Sequence, residues 1–203
     1  MMKLNSSPAS PFARKVRIAA AELGLSDKIE LVATTVMPGN VNEPYSKSVN
    51  PLRKLPALTL EDGTVIVDSY VIAEYLDEIG GGKLMPASGI ERWKVKTEHS
   101  ILQGMLDAML LVRYEKLLRP EPLRWDVWID DQWERAWQGL AYFAGREDIL
   151  NRPVDLSQIG LFSVLTYADF RYADCGWREA YPTLKAFYDR VAKRPAFAAE
   201  ITA

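Results

Sequence analysis

In the N-terminal part of the chain, short apolar runs alternate with segments whose apolar residues recur every three or four positions. Lys3-Leu4-Asn5 reads as an opening strand. Ser10-Pro11 then opens a helix with Phe12, Val16, Ala19, Ala20 and Leu23 on one face. Serine is a good N-cap, proline is tolerated in the first helical turn, and Gly24 supplies a stop. Residues 29–32 form a second strand, and 57–60 and 64–67 flank Glu61-Asp62-Gly63, a hairpin turn signal. Tyr70, Ile72, Ala73, Tyr75, Leu76 and Ile79 mark a helix opened by Asp68 or Ser69. The predicted order is strand, helix, strand, loop, hairpin, helix.

The pattern changes at Gly80-Gly81-Gly82, where three glycines end the helix and Pro86 prevents its continuation. Ser88 and Glu91 have the spacing of a capping box, and a helix runs from there to about residue 118. Trp125, Trp128, Ile129, Trp133, Trp137 and Leu140 predict a second helix over 124–145. Asp155 and Gln158 open a third, and Pro182 begins a last one ending near Val191. No alternating β-branched run follows residue 86, so this part is all-helical. The predicted division is a first domain over 1–80, a linker over 81–87 and a helical domain over 88–203.

One residue breaks the strand pattern. Pro56 stands between Leu55 and Ala57 where a buried strand should begin. Proline cannot donate to a sheet ladder and belongs at the first position of a strand or at an edge. A cis Leu55–Pro56 bond would turn the chain sharply and leave the Leu55 N–H and C=O facing outward, available to the backbone of a peptide-like ligand.

Composition excludes more than it identifies. Lys and Arg total 25 against 27 Asp and Glu, so no bulk field draws nucleic acid or an anionic membrane. The single cysteine rules out an intramolecular disulfide framework and fits a reducing compartment. No signal-peptide pattern and no apolar run long enough to span a bilayer occurs, so a cytoplasmic protein is expected. His99 and Cys175 are the sole imidazole and thiol, too few for a zinc site of the usual ligands, and no metal is expected. Nucleotide-binding glycine motifs are absent, and Gly160-Leu161-Phe162-Ser163-Val164 lacks the last glycine of a hydrolase nucleophile elbow.

Ser10-Pro11-Phe12-Ala13 at the first helix, Leu55-Pro56 before the hairpin, Asp68-Ser69 at the next helix and the apolar segment after Asp155 fall in an order that resembles the glutathione transferases. The resemblance covers nearly the whole chain. Its flavour is that of the bacterial serine-containing enzymes, with some similarity to the theta and zeta classes. It implies an α/β thioredoxin-like N-terminal domain, an all-α C-terminal domain, glutathione as co-substrate and a symmetric homodimer.

The implied site has three parts. A free thiol has a pKa near ~8.5. Lowering it by ~2 units takes roughly 2.7 kcal/mol of preferential thiolate stabilisation. Ser10 combines a hydroxyl donor with a helix N-terminus, contributing ~1.5–3 and ~0.3–1 kcal/mol respectively. Its plain alternative is N-capping alone, and Ser7 and Ser6 are rivals because the register of the turn is open. Glutaredoxins carry Cys-Pro-Tyr-Cys at this turn; both cysteines are absent here, so dithiol exchange is unavailable. Asp68 and Ser69 are expected to hold the γ-glutamyl end, Leu55 and Pro56 the cysteinyl part, and Lys54 the glycine carboxylate. Phe12, Met105, Met109 and Arg113 are candidates for the electrophile pocket, although methionines at helical spacing are more often core. Two other outcomes stay open: a glutathione-dependent isomerase or lyase that returns glutathione unchanged, and a transferase-like interaction module without turnover.

Overall fold

The computed structural model describes residues 1–39 and 41–201. Its first element, β1 (Met2–Ser6), lies at the centre of a four-stranded sheet. On one side β2 (Ile29–Ala33) runs parallel to it, joined through α1 (Pro11–Glu22); on the other β3 (Ala57–Thr59) runs antiparallel. β4 (Val65–Ile66) completes the far edge, antiparallel to β3. Leu4 and Leu58 are paired across the middle and both are fully buried. Each such side chain contributes about 1.5–3 kcal/mol of burial free energy, which lets strands this short persist.

Helix α1 buries Phe12, Val16, Ala19 and Ala20, the face read from the sequence, and adds Ile18. It packs against α3 (Ser69–Ile79), which turns Ile72, Ala73 and Leu76 inward. A Cβ on Gly80 would stand 2.8 Å from the Leu76 carbonyl oxygen and 2.9 Å from a Leu23 methyl, so glycine is required where α3 ends against Leu23. A short helix, α2 (Glu43–Ser48), fills the long loop between β2 and β3. The apolar spacing gave no hint of it. Asn42 caps it by accepting the Tyr45 amide at 3.2 Å.

The chain forms two compact units: residues 1–89 with the segment from Ala196 onward, and residues 90–195. Both boundaries differ from the sequence expectation, for local reasons. The stretch expected to be a linker is fastened, because buried Asp77 accepts the Leu84 amide at 2.7 Å and Leu84 and Met85 are themselves buried. The helical domain expected over 88–203 stops at Pro195, because Glu200, just beyond α10 (Pro195–Ala198), ion-pairs with Arg17 on α1 at 2.5 Å.

The second unit contains α4 (Gly89–Leu118), α5 (Asp126–Ala144), α6 (Glu147–Leu150), α7 (Leu156–Arg171), α8 (Trp177–Ala180) and α9 (Pro182–Val191). Helix α7 is buried continuously from Leu156 to Ala168, the mark of a central helix rather than an amphipathic one. Asp155 caps it by accepting the Gln158 amide at 3.0 Å, and Arg152 joins Asp155 at 2.6 Å to buried Glu98. Gly139 on α5 admits Met105 of α4, whose sulfur would lie 2.4 Å from a Cβ there. Trp133 and Trp137 form an aromatic row with Tyr172 and Tyr181, whereas Trp125 is 64% exposed and belongs to no core. Among the described residues no helix is long and apolar enough to cross a membrane.

Candidate active site

Strand register brings the three sequence segments of interest to one end of the sheet. Asn5 pairs with Ala57, so the end of β1, which leads to Ser10, lies beside the start of β3, which follows Leu55-Pro56. Ile66 pairs with Leu58, so β4 exits at that same end into Asp68-Ser69. Residues distant in sequence are neighbours by topology alone.

Ser10 is the N-cap of α1, with extended backbone (φ −83°, ψ 115°). Its Oγ accepts the Ala13 amide at 3.2 Å, and its own amide donates to the Ser7 carbonyl at 3.0 Å. A hydroxyl that accepts in this way still has its proton to donate. Ser10 is half-buried, within reach of solvent. Of its rivals, Ser6 is buried at the end of β1 and its Oγ accepts Arg17 Nη1 at 2.7 Å. Arg17 Nη1 also donates to the Ser7 carbonyl at 3.2 Å. The Arg17 guanidinium is gripped in turn by both carboxylate oxygens of Glu200, at 2.8 and 2.5 Å.

The Leu55–Pro56 peptide bond is cis, as is Val67–Asp68. Among the described residues nothing hydrogen-bonds the Leu55 N–H or C=O. The preceding carbonyl, that of Lys54, is bolted twice: the Tyr45 hydroxyl donates to it at 2.6 Å and Asn50 Nδ2 at 2.9 Å. Asn50 also accepts the Leu52 amide at 3.0 Å, and Arg53 takes a left-handed conformation (φ 53°) within this turn. Burial pushes the Tyr45 phenol up to about 12, with its Asn50 hydrogen bond opposing, so it stays protonated and donates to its acceptor. The Lys54 side chain is exposed.

Asp68 is the N-cap of α3, its Oδ1 accepting the Tyr70 and Val71 amides at 2.9 and 3.3 Å. That resolves which residue opens the helix. Ser69, one position on, is 1% exposed and its hydroxyl has no hydrogen-bond partner among the described residues. A buried, unpartnered hydroxyl costs free energy of about 1–3 kcal/mol unless something else satisfies it.

The electrophile-pocket candidates divide. Met105 and Met109 are 3% and 2% exposed and serve as core of the helical unit. Phe12 is buried in the first unit, and only Arg113 lines an open cavity, within the helical unit. Tyr45, Asn50 and Arg17, which hold the two loops, were not singled out from sequence. Asn42 with Pro44 just inside the following turn was the available signal for the helix that carries Tyr45.

A thioredoxin-like sheet domain followed by a helical domain is the architecture of a known enzyme class. Residues 9–79 match the glutathione S-transferase N-terminal domain family and residues 126–190 the glutathione S-transferase C-terminal domain family. The structure is similar to a glutathione transferase family member from Pseudomonas fluorescens Pf-5 with bound glutathione, at 36% identity and a TM-score of 0.95 over 98% of each chain. It is also similar to a glutathione S-transferase from Methylobacillus flagellatus with glutathione bound, at 30% identity and a TM-score of 0.85 over 98% of each chain. The uncharacterized GST-like protein YibF of Escherichia coli is 28% identical, covering 97% of this chain and 96% of its own. The chain belongs to the glutathione S-transferase family, as a glutathione S-transferase-like enzyme.

Proposed function

We propose that this enzyme activates the thiol of glutathione and joins it to a small electrophile. The observation that carries the reading is the set of unspent polar groups at one end of the sheet: the Ser10 hydroxyl proton, the Leu55 N–H and C=O, and the buried Ser69 hydroxyl. They match in kind what a γ-linked tripeptide thiol asks for. Glutathione bound in the Pseudomonas relative supports the same assignment.

In this reading the Ser10 hydroxyl donates to the glutathione sulfur, and the partial positive charge at the start of α1 adds to the stabilisation of the thiolate. Leu55 pairs main chain to main chain with the cysteinyl residue, as a strand edge does, with Pro56 fixing the turn. The Ser69 hydroxyl receives the γ-glutamyl carboxylate at the head of α3. Asp68, with Oδ1 committed to the helix cap, takes the α-ammonium through Oδ2. Lys54 holds the glycine carboxylate. The thiolate sulfur then forms a bond to an electrophilic carbon, whose leaving group departs with the bonding pair. A homodimer in the cytoplasm, working without a metal, is the proposed setting.

Calorimetric titration of reduced glutathione into the protein at neutral pH tests this. Saturable binding at micromolar to low-millimolar affinity is the expected result. Absence of heat at several temperatures, together with absence of thermal stabilisation, removes the site assignment. Stoichiometric loss of glutathione with an electrophile then separates conjugation from isomerisation, in which glutathione is returned.

A further inference from the structure

The helical unit carries an open cavity of about 570 Å³ lined by the last turns of α4, by α5 and by the end of α7 with the segment that follows it. Three cations border it: Arg113, Lys116 and Arg171. None of the three is ion-paired among the described residues, whereas Arg119, Arg135, Arg146, Arg152 and Arg178 are each held by a carboxylate. Arg113 and Arg171 are half-buried. The Nε of Arg171 is buried without a hydrogen-bond partner among the described residues, and the guanidinium carbon of Arg171 lies 3.7 Å from the Phe170 ring centroid.

Among the described residues no carboxylate pairs with either guanidinium. Tyr172 spends its hydroxyl on the Met109 carbonyl at 2.6 Å, and burial raises the phenols of Tyr167 and Tyr172 so that both stay uncharged. Burial likewise raises the Cys175 thiol and keeps it neutral. Asp130 and Asp174 also border the cavity, but both are exposed, so water screens them. Burial, and then the charge of Arg113, push the Arg171 guanidinium below its ordinary range. Two partly desolvated guanidiniums paired with no carboxylate are costly unless an anion joins them.

We infer that this cavity binds a small carboxylic acid, its carboxylate held by Arg113 and Arg171 with Lys116 at the mouth, its apolar body against Trp133 and Ile129. Planar guanidinium forks match a carboxylate in two parallel hydrogen bonds. The volume falls within the roughly 300–1,000 Å³ of small-molecule sites. Every lining residue belongs to the helical unit, so the assignment does not rest on the glutathione reading.

Titration of 4-phenylbutyrate and of its neutral amide into the full-length protein tests it. The acid binds about tenfold tighter than the amide or better, and Arg171→Met abolishes that preference. Lys116→Met, at an exposed position, weakens the acid by about two- to fivefold and decides the matter if Arg171→Met fails to fold. Equal affinity for acid and amide, no binding of either at millimolar concentration, or a preference untouched in folded variants overturns the inference. So does a preference lost in Ser69→Ala, which would put the acid at the other site. Glutathione titrated separately into the same wild-type protein judges the other reading on its own. Acid binding without glutathione binding retains this site and removes that one.

Discussion

Ser10 has two separable jobs, and two substitutions separate them. As N-cap its Oγ accepts the Ala13 amide at 3.2 Å, an interaction worth about 1 kcal/mol against alanine but only a few tenths against glycine. As a donor to a thiolate it is worth about 1.5–3 kcal/mol, or roughly 1–2 pKa units on the bound thiol. Ser10→Gly therefore keeps most of the cap and loses the donor, while Ser10→Ala loses both. Both variants are expected to raise the bound-glutathione thiol pKa by about 1–2 units. Activity near neutral pH then falls by about 10- to 100-fold and recovers as pH rises through the new pKa. Only Ser10→Ala adds about 1 kcal/mol of instability. Thiolate absorbance near 240 nm, titrated over pH with glutathione bound, reads the pKa directly, and denaturant melts read the cap. Ser6→Ala serves as the contrast, since the Ser6 hydroxyl is already taken by Arg17 at 2.7 Å. An unshifted thiol pKa in Ser10→Gly, or an equal shift in Ser7→Ala, refutes the assignment of the sulfur contact to Ser10.

Substitutions at three further sites test the geometry. Tyr45→Phe removes the 2.6 Å bond to the Lys54 carbonyl while Asn50 keeps its own; a stability loss of about 1 kcal/mol and a severalfold weaker glutathione titration are expected. Because the native Tyr45 phenol is raised from its ordinary value of 10 to about 12, the stability it confers is complete below pH 10 and is lost as pH climbs from there toward 12. The Phe variant should lack that alkaline loss, and melts at graded pH check it. Asp155→Ala deprives α7 of its cap and Arg152 of one carboxylate, at a cost of about 2–4 kcal/mol, read as a Tm lower by roughly 5–12 °C. Gly139→Ala drives a methyl against Met105 and should destabilise by about 1–3 kcal/mol, a loss largely recovered in the double variant with Met105→Ala, measured by a double-mutant cycle.

Much of the first unit was legible because its signals are local. Ser10-Pro11 and Asp68 announce helix starts through capping chemistry, and both cap the helices expected of them. The apolar faces of α1 and α3 followed from a period near 3.6 residues. What stayed hidden depends on pairs remote in sequence. Tyr45 in a short polar helix gives no periodic signal, yet its hydroxyl shapes the approach to Leu55 across the loop. The Met105–Gly139 fit and the unpaired state of Arg113 and Arg171 require knowing which helix faces which. The stretch after α3 shows the converse: glycines and a proline describe the turn, but composition says nothing of a carboxylate such as Asp77 that pins the turn down. Cis geometry at Val67–Asp68 had no sequence signal at all.

Glu200 belongs in space to the unit that begins with β1, although the whole of residues 90–195 separates its segment from the rest of that unit. Synthesis runs from the N-terminus, so the sheet and α1 leave the ribosome long before the carboxylate that clasps Arg17 exists. During that interval the Ser6–Ser10 turn has Arg17 without its partner, and the thioredoxin-like half waits for the whole helical unit to be translated. Its final tightening thus waits on the segment made after the helical unit, and a chain stalled or nicked before that segment would present an ordered sheet around a loosened first turn.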